Sequence, residues 1–423
     1  MATIPGSVGL PVLGDKSYEF YKDPVKFCQK NMNSHKCRLF YNRFLNKPTA
    51  FICSNNAVHE LLTVHNESLE LGYKAFMGEI FGDNILFSDG EDARKLRSSL
   101  KQLFTLESID TYQLTIDSVV DKAVATINPK EPTCVYSLMK KICTEICLSV
   151  FLGLNFTDAC QTANTIVALT TTHWHGIISV PLPLKLPMTS GSTYSQALNA
   201  KDSLLKIIIS KREESSGQFA QKVEDAASTS EDGLREVFIN NHLLLFTSAL
   251  VPKALSSLLT SLIMEVGKEK GDLQEKLLSD PEMMEAVLLE VQRLYPPFLG
   301  GRRIVKKDIV LGGYKIPAGH SILYVTQAAH RDPDAFADPD TFNPHRWINC
   351  SPAQKEKLFC FGAGPRNCIG RHLVWKILQT IIVRLLCSWK FELLGNQDFS
   401  HKWLPVSKPK QDVKVQFSSR NAA

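Results

Sequence analysis

No Cys-x-x-Cys pair occurs in the chain, although it holds eleven cysteines among 423 residues. Their odd number and irregular spacing exclude a secreted disulfide framework and predict reduced thiols, most of them packing residues. No run of basic residues is dense enough to grip nucleic acid, and a formal charge of +5 adds no pull towards it. Collagenous and low-complexity bias are absent too. The 44% hydrophobic and 22% charged shares are those of a soluble globular chain. The first residues, Met1-Ala2-Thr3-Ile4, have no secretory pattern and run into a Pro/Gly segment, Pro5 to Gly14. Leu243 to Val266 is the one stretch that resembles a membrane span by length. Pro252 and Lys253 near its middle predict a buried central helix instead.

Near the carboxy end, Phe361-Gly362-Ala363-Gly364-Pro365-Arg366-Asn367-Cys368-Ile369-Gly370 presents one cysteine in a glycine-rich loop that leads into an apolar helical stretch. Glycines at 364 and 370 suit close approach of backbone to a flat group, and Arg366 with the start of the next helix would hold the sulfur deprotonated. A thiolate pushes electron density onto iron and favours O–O cleavage, so this loop predicts oxygen or peroxide chemistry at a heme-thiolate centre. Cys368 is the expected iron ligand. Phe361 and Gly370 complete the loop.

Along the chain, 1–423 reads as one mainly helical domain with a small β-rich region. Cys37 to Ser54 predicts a hairpin around Asn46-Lys47-Pro48. Helical periodicity dominates from about Asn56 to Lys211, interrupted by the proline-rich loop 181–187. Residues 213–233, rich in Ser, Glu and Asp, predict an exposed connector. A long kinked helix from Leu234 to Lys270 follows, then a helix from Pro281 to Leu294 and short strands between Ile304 and Val325. A last helix, Arg371 to Ser388, and a strand, Asp412 to Phe417, complete the chain.

Glu290 and Arg293 stand three apart on one helical face, where they can pair. Tyr295-Pro296-Pro297 ends that helix, and about fifty residues later Phe342-Asn343-Pro344-His345-Arg346-Trp347 offers an arginine to complete a buried network. Taken with the cysteine loop, in this order and at these separations, these features resemble the cytochrome P450 family from Pro5 onward. The resemblance implies the P450 fold and heme b, bound near Cys368 and the helix around Thr247. It assigns Glu290, Arg293 and Arg346 a structural role, and Arg366 and Arg303 the heme propionates. Arg97 matches a further propionate arginine, although Ala93 stands where that motif has tryptophan. Two propionates in a desolvated pocket need charge-assisted partners, which is the physical reason for three arginines. Within the family, Pro297 to Arg303, Gly313 to Gly319 and Pro405 to Lys410 are most similar to retinoic acid hydroxylases and their sterol- or triterpenoid-oxidising relatives. That implies a hydrophobic substrate held near the loop Ile177 to Pro187 and Phe298.

One stretch departs from the family pattern. Phe246-Thr247-Ser248-Ala249-Leu250-Val251-Pro252-Lys253 puts Leu250 where monooxygenases carry an acid and Val251 where they carry an alcohol. Neither side chain passes a proton. Thr247 or Ser248 is the candidate substitute relay, and Pro252 is expected to leave the Ser248 carbonyl unpaired and kink the helix. Three readings follow. The first is a monooxygenase taking electrons from NADPH through a reductase. The second is a hydroperoxide isomerase or dehydratase of the allene oxide or epoxyalcohol synthase type, and the third a heme-binding protein without turnover. Lys355, Lys357, Arg371, His372 and Lys376 surround the cysteine loop in sequence and are expected to form a basic face for an acidic redox partner. The chain is expected to act as a monomer. Pro5 to Gly14 resembles the hinge that follows the membrane anchor of eukaryotic members. The expected location is therefore the cytosol, or the endoplasmic reticulum surface where an anchor precedes this segment.

Overall fold

A computed structural model describes residues 3–156, 161–178, 192–214, 218–227, 235–248, 250–269 and 271–420. The architecture is mainly α-helical with small sheets. The chain divides into two compact units: Met1–Gly72, Thr260–Cys368 and Gly395–Val413 form the first, and Tyr73–Leu259, Ile369–Leu394 and Lys414–Ala423 the second.

The first unit is organised on a five-stranded sheet in the order Leu39–Phe44, Lys47–Ile52, Ser321–Tyr324, Gly301–Val305, Leu69–Leu71. Leu39–Phe44 and Lys47–Ile52 form the expected hairpin, with Phe44 opposite Lys47. Its turn is Leu45-Asn46, both left-handed at φ 50° and 55°, the backbone a two-residue turn of matching twist requires. Lys47 and Pro48, expected in the turn, lie in the strand instead. Pro48 has no N–H to give, and the parallel ladder to Ser321–Tyr324 starts only at Thr49. Alternation then sorts the faces. Phe51 points into an aromatic cluster with Phe20, Phe27, Phe40 and Phe44, its ring stacked on Phe40 at 5.1 Å. Ala50 and Ile52 point the other way, into a core with Leu61, Val305 and Ile322. Burial of a side chain such as Phe51 stabilises by about 1.5–3 kcal/mol.

Pro281–Leu294, also in the first unit, starts where predicted because the Asp280 carboxylate accepts the N–H groups of Glu282 and Met283, with Pro281 pre-set at the first helical position. It ends at Tyr295, before two prolines that cannot continue it.

The second unit is helical, with one three-stranded sheet of Thr133–Cys134, Lys414–Ser419 and Trp389–Leu393. Arg371–Ser388 buries Leu373, Ile377, Leu378, Ile381, Ile382 and Leu385, the stripe that a 3.6-residue period predicts. Two expectations are corrected here. Residues 213–233 are not simply an exposed connector, because Gln218–Ala227 is a helix with Phe219, Ala220 and Val223 buried. Phe219 meets Phe151 at 4.7 Å and Phe246 at 5.6 Å. Of the acidic residues, Glu224 and Asp225 lie on this helix, and the serines of the segment lie outside the described residues. The expected single helix Leu234–Lys270 is two helices, Arg235–Thr247 and Leu250–Lys268. Pro252 therefore stands in the first turn of the second helix, where no N–H donor is called for, and is a starter rather than a kink. Glu236–Lys268 has the length and hydropathy to cross a membrane, but 76% of its apolar window is buried inside the protein, as for a core segment.

Candidate functional site

The cysteine loop belongs to the first unit as far as Cys368. Gly362 and Gly364 take φ of 69° and 63°, and a Cβ on Gly364 would fall 2.3 Å from the Leu62 carbonyl oxygen. The glycine at 364 is thus demanded by left-handed backbone and by a neighbouring chain turn. Gly370, in contrast, has an ordinary φ of −84° and caps Arg371–Ser388, its carbonyl accepting the Val374 N–H at 2.9 Å. The Cys368 N–H donates to the Phe361 carbonyl at 2.7 Å and the Gly362 N–H to the Phe359 carbonyl at 2.9 Å, so the loop is closed on itself. Cys368 is exposed, whereas burial, then the charge of Cys368, pushes the Cys360 thiol well above its ordinary range. All ten described cysteines lie outside disulfides, and Cys160 lies outside the described residues.

Behind the loop in sequence, Glu290 and Arg293 are both fully buried. The Arg293 Nε and Nη2 donate to the two Glu290 oxygens at 2.9 and 2.8 Å. Its remaining N–H groups reach the carbonyls of His330, Pro339 and Thr341. Glu290 also accepts the Arg346 Nε–H at 3.1 Å, the Asn343 N–H at 2.9 Å and the Trp347 indole N–H at 2.8 Å. Burial works to raise the Glu290 carboxyl, but its hydrogen bonds to Arg293, the Arg293 charge and the Asn343 and Trp347 donors outweigh it and hold the group below the usual carboxylate range. Trp347 was given no role from sequence. Its signal was present, a donor-only indole beside Arg346 in the turn Pro344–Trp347.

Arg303 lies on Gly301–Val305, which approaches Ser321–Tyr324 so closely that a Cβ on Gly300 would fall 1.8 Å from the Tyr324 oxygen. Its guanidinium is half-buried over the Tyr324 ring at 5.3 Å, and Nη1 donates to the Arg302 carbonyl. Arg302 points to the opposite face, is buried and reaches Ser321 Oγ at 3.0 Å. Arg366 closes the turn Gly364–Arg366 and is half-buried, as is Phe361. In the second unit, Arg97 is half-buried on Gly90–Lys101, one turn after a buried Ala93. Thr247 and Ser248 are buried, and their hydroxyls donate to the carbonyls of Leu243 at 2.6 Å and Leu245 at 2.9 Å. Ala249 and residues 179–187 of the apolar loop lie outside the described residues, and Phe298 is exposed. Of the basic residues, Lys355 is paired with Glu285 at 2.6 Å and Lys357 reaches the Ala335 carbonyl at 3.4 Å, while Arg371 and His372 are exposed and Lys376 is half-buried.

The family model of cytochrome P450 matches residues 5–236 and 259–417. This chain belongs to the cytochrome P450 family. The match leaves out 237–258, the stretch with Thr247, Ser248, Leu250 and Val251. The chain is similar to the putative cytochrome P450 120 of Synechocystis sp., with 25% identity covering 98% of this chain and 96% of that protein. It is 24% identical to cytochrome P450 26B1 of Xenopus tropicalis, over 97% and 86% of the two chains. It is 25% identical to a beta-amyrin 28-monooxygenase of Solanum lycopersicum, over 92% and 87%. Among solved structures, retinoic acid-bound cyanobacterial CYP120A1 matches with a TM-score of 0.85 and 24% identity, covering 99% of this chain and all 100% of that one. That likeness bears on fold alone. P450s are heme-thiolate monooxygenases that use heme b and take electrons from NAD(P)H through a reductase. The residues present fit such a group. Among the described residues no cluster of three or more His, Cys, Asp or Glu could hold a bare metal ion. Cys368, exposed in its closed loop, suits an iron whose other ligands come from a macrocycle, and half-buried Arg303 and Arg366 suit its propionates.

Proposed function

We propose that this P450 is a reductase-dependent monooxygenase that hydroxylates a hydrophobic lipid of the retinoid, sterol, terpenoid or fatty acid class. The observation that carries it is the closed glycine loop presenting Cys368, in a chain whose relatives include a retinoic acid-bound protein and a triterpenoid monooxygenase by name. In this reading Cys368 ligates the heme iron, which supplies the centre for oxygen activation. Arg303, Arg366 and Arg97 hold the propionates, and Glu290, Arg293 and Arg346 fix the backbone behind the loop. To relay protons, Thr247 and Ser248 would turn their hydroxyls away from the carbonyls of Leu243 and Leu245, each donating its own hydrogen onward as its oxygen accepts another. Lys357 and Arg371 contribute to docking an acidic electron donor. The protein works as a monomer, in the cytosol or against the endoplasmic reticulum.

A second reading, rearrangement of lipid hydroperoxides, is favoured by one specific observation. On the register that fits the family pattern best, Leu250 and Val251 stand at the acid and alcohol positions, and the family match leaves that stretch out. A substrate that brings its own O–O bond needs neither external electrons nor a relay. Heme-loaded protein given a polyunsaturated fatty acid hydroperoxide without oxygen, NADPH or reductase decides between them, with products followed by mass spectrometry. Fast isomerisation or dehydration selects the second reading. No conversion, together with a low- to high-spin shift on adding retinoids or sterols, selects the first. No conversion and no shift with any such ligand leaves a heme-binding protein without turnover.

A further inference from the structure

His330 takes part in neither the ion-pair network nor the cysteine loop as the sequence defines them, yet it bonds to Arg293 of the one and to Phe359, two residues ahead of the other. It follows the short helix Thr326–Ala329 and is fully buried. Its carbonyl accepts the Arg293 Nη1–H at 3.0 Å, and its Nδ1 lies 3.1 Å from the Arg293 carbonyl. On the far side of the ring, Nε2 lies 2.7 Å from the Phe359 backbone N. The ring stacks on Phe359 at 5.8 Å and 26°.

These contacts fix the tautomer. A backbone N–H can only donate, so Nε2 must be the acceptor and the proton must sit on Nδ1, where it donates to the Arg293 carbonyl. A second proton on Nε2 would set N–H against N–H in a buried site. Burial, then the Arg293 charge, pushes the ring down to about 3, so the neutral form prevails under ordinary conditions. Both ring nitrogens are engaged by backbone, so the ring serves as a fixed bridge. From Phe359 the path to the sulfur is short. The Phe359 carbonyl accepts the Gly362 N–H, and the Phe361 carbonyl accepts the Cys368 N–H.

We propose that His330, as its Nδ1–H tautomer, is the positioning residue that ties the Glu290–Arg293 pair to the start of the cysteine loop and so fixes where Cys368 presents its sulfur. The claim about the sulfur rests on the heme-thiolate reading; the claim about the bridge does not. The decisive comparison is His330→Leu, which removes both ring bonds, against His330→Gln, whose amide oxygen keeps an acceptor for the Phe359 N–H. Two readouts are needed. Amide hydrogen exchange on the heme-free chain should show Phe359 to Cys368 exchanging at least tenfold faster in His330→Leu, with His330→Gln near wild type and the interior of Pro281–Leu294 unchanged in both. The carbon monoxide spectrum of the reduced, heme-loaded protein should shift from the thiolate towards the thiol form in His330→Leu and revert in His330→Gln. Unchanged exchange in a folded His330→Leu protein overturns the bridge. If His330→Leu does not fold, 15N-histidine spectra of the wild type take its place, and an Nε2 proton there overturns it equally. A wild type that loads heme without any thiolate spectrum overturns the heme-thiolate reading, while the exchange result still stands or falls alone.

Discussion

The polar residues around Glu290 and those around Thr247 satisfy their hydrogen bonds in opposite ways. Glu290 accepts from Arg293, Arg346, Asn343 and Trp347, so side chains from distant parts of the sequence converge on one carboxylate. Thr247 and Ser248 spend their hydrogens locally, on carbonyls three or four residues back in their own helix. The first arrangement fixes long-range geometry, and the second is local to one helix. In this chain the cysteine side carries the specific, ordered machinery. The stretch around Thr247 also holds the apolar Leu250 and Val251 and is where the family match lapses.

The most direct way to break that contrast is Cys368→Ser. It should abolish the thiolate spectrum of the heme-loaded protein and all turnover while leaving the circular dichroism of the helices unchanged. Next comes Glu290→Leu, which strands Arg293 as a buried, unpaired cation and should cost about 3–5 kcal/mol in denaturant unfolding. Arg346→Ala removes one donor among several at a site less deeply buried and should cost about 1–3 kcal/mol. Equal losses for the two variants would mean that the network is not centred on the carboxylate.

Acid separates the regions less sharply, because each unit holds buried neutral histidines. His330 is pushed to about 3 and His401 to about 4 in the first unit, His173 and His242 to about 4 in the second, in every case chiefly by burial. Their folded values lie below the ordinary 6.5, so the unfolded chain takes up protons first as the pH falls. The stability they contribute is whole above about pH 6.5 and is lost progressively as the pH falls towards 4, by up to about 1.4 kcal/mol per histidine per pH unit. Glu290, held below its ordinary 4.5, adds its own loss only beneath that value. Stability measured against pH should therefore begin to fall below 6.5, before carboxylates titrate, and His330→Gln should make that first slope shallower.

Much of this was legible from local rules. Asp280 with Pro281 marks one helix start and Gly370 another, so Pro281–Leu294 and Arg371–Ser388 have the predicted bounds. The Glu290–Arg293 pair was legible from its spacing taken with the proline stop after it and the Phe342–Trp347 segment. What escaped depends on tertiary partners. Composition hid Gln218–Ala227, because its burial rests on Phe219 meeting Phe151 and Phe246 from other helices. Pro252 reads as a kink or as a helix start until one knows that the preceding helix ends at Thr247. His330 gives no sign in sequence that Phe359, 29 residues on, will meet its ring nitrogen.

The smallest effect tests the stretch around Thr247. Val251 is half-buried in the first turn of Leu250–Lys268, and Val251→Thr replaces one methyl by a hydroxyl of similar size. A hydroxyl there can return to a helix carbonyl, so stability should change by about 1 kcal/mol or less. If the native chain is a monooxygenase limited by proton delivery, Val251→Thr should raise product formed per NADPH consumed by a few fold, with a further rise in Leu250→Asp/Val251→Thr. A well-placed acid or base typically contributes about 10²–10⁴-fold, so even an imperfectly placed alcohol should register. A chain that rearranges hydroperoxides gains nothing from either substitution, because no proton has to reach its oxygen from outside. The same variant that leaves hydroperoxide conversion untouched and fails to improve NADPH coupling would show that the apolar run at 250–251 belongs to the native chemistry.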